Sequence, residues 1–169
     1  MITLRKINSK DAQVLLKWGR DPYYHELAGF ANYSDLNMAK AAVSVFRQRP
    51  ASYAIDLDGK MIGLLEFYPK EPNEEIQEVG FLIDKDYQGR GYMQQALKLG
   101  LEKAFREAKE IWAGCYEFNE KPQKLLEKFG FEYQYTIDQK YLPSFVENNE
   151  KFYLLNRERW NRIIENTKA

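Results

Sequence analysis

The chain has 169 residues, 44% of them apolar and 30% charged, the mix expected of one globular domain spanning 1–169. Its 25 basic and 25 acidic side chains cancel, which argues against the basic excess that non-specific nucleic-acid or anionic-membrane binding requires. A single cysteine, Cys115, and a single histidine, His25, leave no internal disulfide and argue against a zinc site or a histidine-based triad.

The N-terminus shows no signal-like apolar segment and no run approaches transmembrane length, so a cytoplasmic protein is expected. Twelve tyrosines and ten phenylalanines offer more ring surface than a core of this size needs, and some of it is expected to line a pocket or interface. Ile2 to Ile7 alternates as a first strand. Ser9 is placed to cap a helix carrying Val14, Leu15, Leu16 and Trp18, with Gly19 as its stop and Asp21-Pro22 as a turn. Ser34 is placed to cap a second helix through about Gln48. Asp58-Gly59 stands between two apolar-rich strands, Tyr53 to Tyr68, as a tight hairpin turn. Pro69 and Pro72 are expected to end the second strand, and a charged loop to lead to Glu78.

From Glu78 the pattern turns informative. Val79 to Ile83 is an apolar run that reads as a buried strand, and Asp84 to Met93 is a polar turn holding Gly89 and Gly91. Met93, Leu97, Leu101 and Phe105 then recur at helical spacing beside a row of small residues, Ala96, Gly100, Ala104 and Ala108. A strand, a glycine-rich turn and a helix N-terminus together can bind an anion, because the first helical N–H groups lack partners and glycine admits positive φ. An ordinary strand-to-helix connection would use the same residues for the turn alone. A P-loop would need Lys-Ser/Thr where Tyr92-Met93 stand, and a dinucleotide fingerprint would need glycine at Gln94; neither fits.

Farther on, Ile111 to Tyr116 reads as a strand, Pro122 as the first turn of a short helix, and Gly130 as its stop. Phe131 to Ile137 and Phe152 to Leu155 read as strands, Tyr141 to Glu150 as a loop, and Arg157 to Ile164 as a helix. This order of elements predicts an α/β (α+β) domain: a single mixed, largely antiparallel sheet with helices on both faces.

Gln88-Gly89-Arg90-Gly91-Tyr92 resembles the pyrophosphate loop of the GNAT acyl-CoA N-acyltransferases, Gln/Arg-x-x-Gly-x-Gly/Ala, with Met93 departing at the last position. Asn119 followed by Leu125 to Phe131 resembles the closing motif of that family, and Glu78 to Ile83 its central strand. The likeness is strongest to the branch containing the ribosomal-protein N-terminal acetyltransferases. It implies a GNAT-like fold whose central strand and the next are splayed apart. It also implies acetyl-CoA as co-substrate, no metal, and a primary amine of a small molecule, antibiotic or peptide N-terminus attacking directly in a ternary complex. Monomer and homodimer both stay open. So does a catalytically silent acyl-CoA-binding module; a nicotinamide dehydrogenase is a weaker third reading.

The resemblance implies Glu78 as general base, with Glu66 as the other candidate if the pleat turns it inward. It implies pairing of the pantetheine arm with the backbone of Phe81, Leu82 and Ile83, and phosphate binding by Gln88, Gly89, Arg90, Gly91, Tyr92 and Met93. Asn119 would reach the pantetheine arm or simply stabilise its own turn. Cys115 and His25 read as structural, and Lys85, Lys98, Lys124 and Lys128 as phosphate contacts or solvated lysines. Two departures stand out. The family's frequent tyrosine acid is Leu126 here, and Pro122 replaces a small polar residue.

Overall fold

The computed structural model describes residues 1–70, 72–144 and 147–168. Seven strands form one open sheet: β1 Ile2–Lys6, β2 Ser52–Leu57, β3 Lys60–Lys70, β4 Asn73–Ile83, β5 Glu110–Tyr116, β6 Glu132–Ile137 and β7 Glu150–Asn156, in the order β1-β2-β3-β4-β5-β7-β6. β1–β2, β2–β3, β5–β7 and β6–β7 pair antiparallel, and β4–β5 pair parallel over Ile76–Val79 against Glu110–Ala113. Six α-helices accompany them among the described residues: α1 Ala12–Arg20, α2 Pro22–Ala28, α3 Leu36–Gln48, α4 Tyr92–Ala104, α5 Glu120–Lys128 and α6 Arg157–Lys168. The mixed, mostly antiparallel sheet with helices is the expected fold class.

One compact unit holds 1–66 and 80–102. Its hairpin forms as expected: Asp58 at φ 51 and Gly59 at φ 92 place two consecutive residues in the left-handed region that a tight two-residue turn demands. Met61 to Leu65 are all buried, so both faces of β3 are covered, as a run without alternation requires. α1 packs Leu15, Leu16 and Trp18 into a core with Ala39, Val43 and Phe46 of α3, each large side chain contributing about 1.5–3 kcal/mol.

Helix starts in this unit differ from expectation in an instructive way. Asn8, not Ser9, caps the first turn: its side chain accepts from the Lys10 N–H, while Asp11 reaches back to the Asn8 N–H. Asp35, not Ser34, caps α3 by accepting from the Met38 N–H. Asp21-Pro22 is a helix start rather than a turn, with Asp21 accepting from the Tyr23 N–H and Pro22 in the first turn of α2. Gly19 lies inside α1; a Cβ there would collide with the Tyr33 ring, so packing and not helix termination requires glycine.

The second unit holds 67–79 and 103–168 of the described residues. Phe105 stacks on Trp160 at 5.7 Å, and Ile111, Ala113, Leu126, Phe131, Tyr153 and Leu155 are buried in the same unit. Gly130, at φ 92, follows α5 as expected. Two boundaries move here. β3 runs through Pro69 to Lys70, and β4 starts at Asn73, so the residues expected to be a charged loop are strand; Glu71 lies outside the described residues. Glu78 therefore sits inside an eleven-residue strand instead of beginning it. α4 ends at Ala104, short of Ala108. Of the expected loop between Tyr141 and Glu150, Phe145 and Val146 lie outside the described residues. No described helix is long and apolar enough to cross a membrane.

Candidate active site

Asp84 organises the turn between β4 and α4. It is 3% exposed and accepts from the Trp18 indole at 2.9 Å, Lys17 Nζ at 2.9 Å and the Asp86 N–H at 2.9 Å, while its own N–H donates to Ile62 O. Burial alone would raise its pKa; the indole, backbone and lysine donors outweigh it and hold the carboxyl below its ordinary value. Nothing in the local sequence marks Asp84, because its donors stand 66 and 67 residues away. Tyr24 Oη accepts from the Lys85 N–H, adding a second tie from α2.

The turn so anchored delivers Gln88 to Met93 to the N-terminus of α4. Gly89 has φ 75 and Gly91 φ 78, both in the region glycine alone enters without strain. A Cβ at either would meet nothing within 4 Å, so the loop lies open. Gln88 is not a dangling ligand. Its amide donates to Tyr23 Oη at 2.9 Å and to Ile83 O at 3.5 Å, which braces the loop against α2 and β4. Arg90 lies over the Tyr87 ring at 5.9 Å, and Lys60 over the same ring at 5.4 Å. Lys60 escaped sequence reading because the hairpin, not proximity in sequence, brings it to the loop. Tyr92 and Met93 are half-buried in the first turn of α4, whose small-residue row buries Ala96 and Gly100. The other expected phosphate lysines lie elsewhere: Lys85 is ion-paired with Asp21, Lys124 reaches Glu120 at 3.8 Å, and Lys98 and Lys128 are exposed.

Glu66 turns toward protein. Its Oε1 accepts from Arg49 Nη1 at 2.8 Å and Ser52 Oγ at 2.7 Å, and Arg49 lies over the Phe46 ring at 5.3 Å. Glu66 lines a cavity of about 440 Å³ whose walls include Phe30, Tyr33, Phe46 and, from β4, Phe81 and Leu82. Phe81 and Ile83 are half-buried and Leu82 buried. His25 Nδ1 lies 3.1 Å from Phe30 O, at the end of α2.

In the second unit Glu78 is half-buried, in register with Trp112 of β5, and makes no hydrogen bond or ion pair among the described residues. Glu150 of β7, in register with Tyr116, feels the charge of Glu78. Burial, and then the charge of Glu78, push the Glu150 carboxyl above its ordinary value. Nothing in the local sequence marks Glu150, because the charge it feels stands on another strand of the sheet. The native state thus keeps a proton that the unfolded chain has released, so stability falls as pH climbs from the ordinary value of 4.5 through the raised folded one. Glu150→Gln removes that loss. The variant is expected to melt with wild type near ~pH 4 and above it near ~pH 8, measured by thermal scans across that range.

Cys115 follows on β5, its thiol pushed up to about 11 by burial first, which suits a structural thiol. Leu126, at the position of the family tyrosine, is 0% exposed. Asn119 stands at the N-cap of α5 with no side-chain cap bond, and its N–H donates to Tyr116 O at 3.0 Å. Tyr116 itself is raised by burial and by the charges of Glu150 and Glu147.

A mixed open sheet with a left-handed glycine pair at the helix following its fourth strand defines an acyltransferase-type fold. Residues 1–132 match the acetyltransferase (GNAT) domain family, and the chain belongs to that family. Among solved structures it resembles a GNAT-family acetyltransferase from Bacillus anthracis, with TM-score 0.79 at 19% identity over 93% of this chain and 95% of that one. It also resembles a Salmonella typhimurium acetyltransferase that modifies the N-terminal serine of 50S ribosomal subunit protein L7/L12, with TM-score 0.76 at 18% identity over 92% and 94%. The microcin C7 self-immunity acetyltransferase MccE, in complex with acetyl-CoA and AMP, superposes with TM-score 0.77 at 16% identity over 92% of each chain. No curated protein matches. At these identities the neighbours carry the fold, and the family match carries the activity class: this is an N-acetyltransferase.

Proposed function

We propose that the whole chain, 1–169, works as one cytoplasmic domain that transfers the acetyl group of acetyl-CoA to a primary amine by direct attack in a ternary complex. The observation that carries this reading is the loop from Gln88 to Met93: two left-handed glycines, open space above them, and Arg90 and Lys60 beside them at a helix N-terminus. Such a cradle suits a pyrophosphate, so the backbone N–H groups of 88–93 would hold that part of the coenzyme. The backbone of Phe81 to Ile83 and the Asn119 side chain would take the pantetheine arm. β3 and β4 each run through both compact units, which supports reading the chain as a single domain.

Glu78 is proposed as the base. A half-buried carboxylate with no hydrogen bond or ion pair among the described residues is available to take a proton from the attacking nitrogen, whereas Glu66 Oε1 already accepts from Arg49 and Ser52. The amine nitrogen bonds to the acetyl carbonyl carbon, the carbon–sulfur bond breaks, and the coenzyme leaves as thiolate. Leu126 has no proton to give. A free alkyl thiol titrates near ~8.5, below an aliphatic ammonium near ~10, so the thiolate departs without an acid once the nitrogen is deprotonated. Tyr116, Tyr133, Tyr135 and Tyr141 are the candidate substitutes, and each Tyr→Phe change, made singly, is expected to cost less than about tenfold in kcat, below the roughly 10²-fold worth of a true proton donor.

The overall reading is tested by incubating the protein with acetyl-CoA and a panel of amines and peptides and following product mass. Acetylated amine with released thiol is expected; coenzyme A binding without turnover on any amine would reduce the protein to a binding module.

A further inference from the structure

We infer that the acceptor is a small primary amine with an apolar, ring-bearing body, seated in the open cavity lined by Phe30, Tyr33, Val45, Phe46 and Phe81. The inference rests on the acetyltransferase reading and narrows its substrate.

Four observations converge. The cavity measures about 440 Å³, near the small end of the roughly 300–1,000 Å³ of small-molecule sites. That volume takes a compact molecule and not an extended peptide. Its walls are largely apolar and aromatic, which reward ring burial and penalise a polyhydroxylated or polycationic ligand whose groups would lose water without partners. Its polar equipment is one ion pair. Arg49 Nη1 and Ser52 Oγ both go to Glu66 Oε1, and Oε2 makes no hydrogen bond among the described residues. One carboxylate oxygen is therefore available to a single N–H group. Because Arg49 offsets the Glu66 charge, the wall can accept that hydrogen bond without locking the nitrogen as an ammonium, which could not attack. Finally, Gly80, Phe81 and Leu82 of β4 complete the wall, and Phe81 and Leu82 belong to the backbone run proposed for the pantetheine arm. An amine at Glu66 and a thioester at that strand share one cavity edge.

Calorimetry on the full chain, with 2-phenylethylamine, spermidine and a serine-initiated pentapeptide as probes, tests this. Phenylethylamine is expected to bind at least about tenfold more tightly than either competitor, as apolar-pocket discrimination allows. Ala31 and Val45 line the cavity from exposed positions, so Ala31→Trp, which fills it, and Val45→Arg, which charges it, keep the core intact. Both are expected to weaken phenylethylamine about tenfold or more and to leave coenzyme A binding unchanged. Equal or tighter binding of spermidine or the peptide overturns the inference, as does phenylethylamine binding that neither variant alters. Coenzyme A titration separates the two levels. If coenzyme A does not bind while phenylethylamine follows the expected pattern, the cavity assignment stands and the acetyltransferase reading falls. Normal coenzyme A binding with no amine preference has the opposite meaning.

Discussion

Glu78→Gln is expected to lower kcat by about 10²–10⁴-fold while coenzyme A affinity stays near wild type. Glutamine keeps the size of the side chain and its ability to hydrogen-bond, and Glu78 makes no ion pair among the described residues whose loss would unfold β4. What goes is the capacity to accept the amine proton. A second readout separates chemistry from structure. The acid limb of the kcat/KM profile, which reports the base in the free enzyme, should disappear in the variant. Glu150 adds a twist: losing the Glu78 charge removes one of the two causes that raise it, so the Glu150 proton should leave at lower pH. If the rate stays within a few-fold at every pH, Glu66 or bulk water becomes the better base.

The second large effect belongs to the loop. Gly91→Trp is expected to abolish coenzyme A binding in a folded protein. Glycine at φ 78 can be replaced at a cost of about 1–2 kcal/mol in backbone conformation, and a Cβ there meets no atom within 4 Å, so the side chain starts out into open space. It would then occupy the space above the helix N-terminus, where the pyrophosphate is proposed to sit. Gly91→Ala separates the two costs, since it pays the conformational one and blocks little. Wild-type affinity in folded Gly91→Trp would remove the phosphate assignment.

How much of this was legible beforehand follows from the range of each signal. The hairpin at Asp58-Gly59 and the turn at Gly89 and Gly91 are local: the residues that need positive φ are themselves the signal. The boundary of β4 was misread because Asn73 to Gln77, rich in carboxylates and amides, are exposed or half-buried there and so carry no apolar alternation. α2 was missed because Asp21-Pro22 serves a turn and a helix start equally well until the following residues bury Tyr24. Asp84, Lys60, Glu150 and the Arg49–Glu66 pair were out of reach, since each acquires its role from a partner that strand register or helix packing supplies.

α2 has one further consequence. Near its first turn Tyr23 holds Gln88 of the phosphate loop, and at its other end Ala28 and Gly29 form part of the cavity wall. Seven helical residues make a strut roughly 10 Å long that changes its length very little. A ligand that shifts Gln88 therefore moves the wall as well, or else breaks the Tyr23 bond. A ligand that displaces Ala28 and Gly29 and one that shifts Gln88 would load the same beam, and any coupling so produced is reciprocal, each altering the other's affinity by the same factor. Cooperativity between the two ligands would then be a mechanical property of a seven-residue helix.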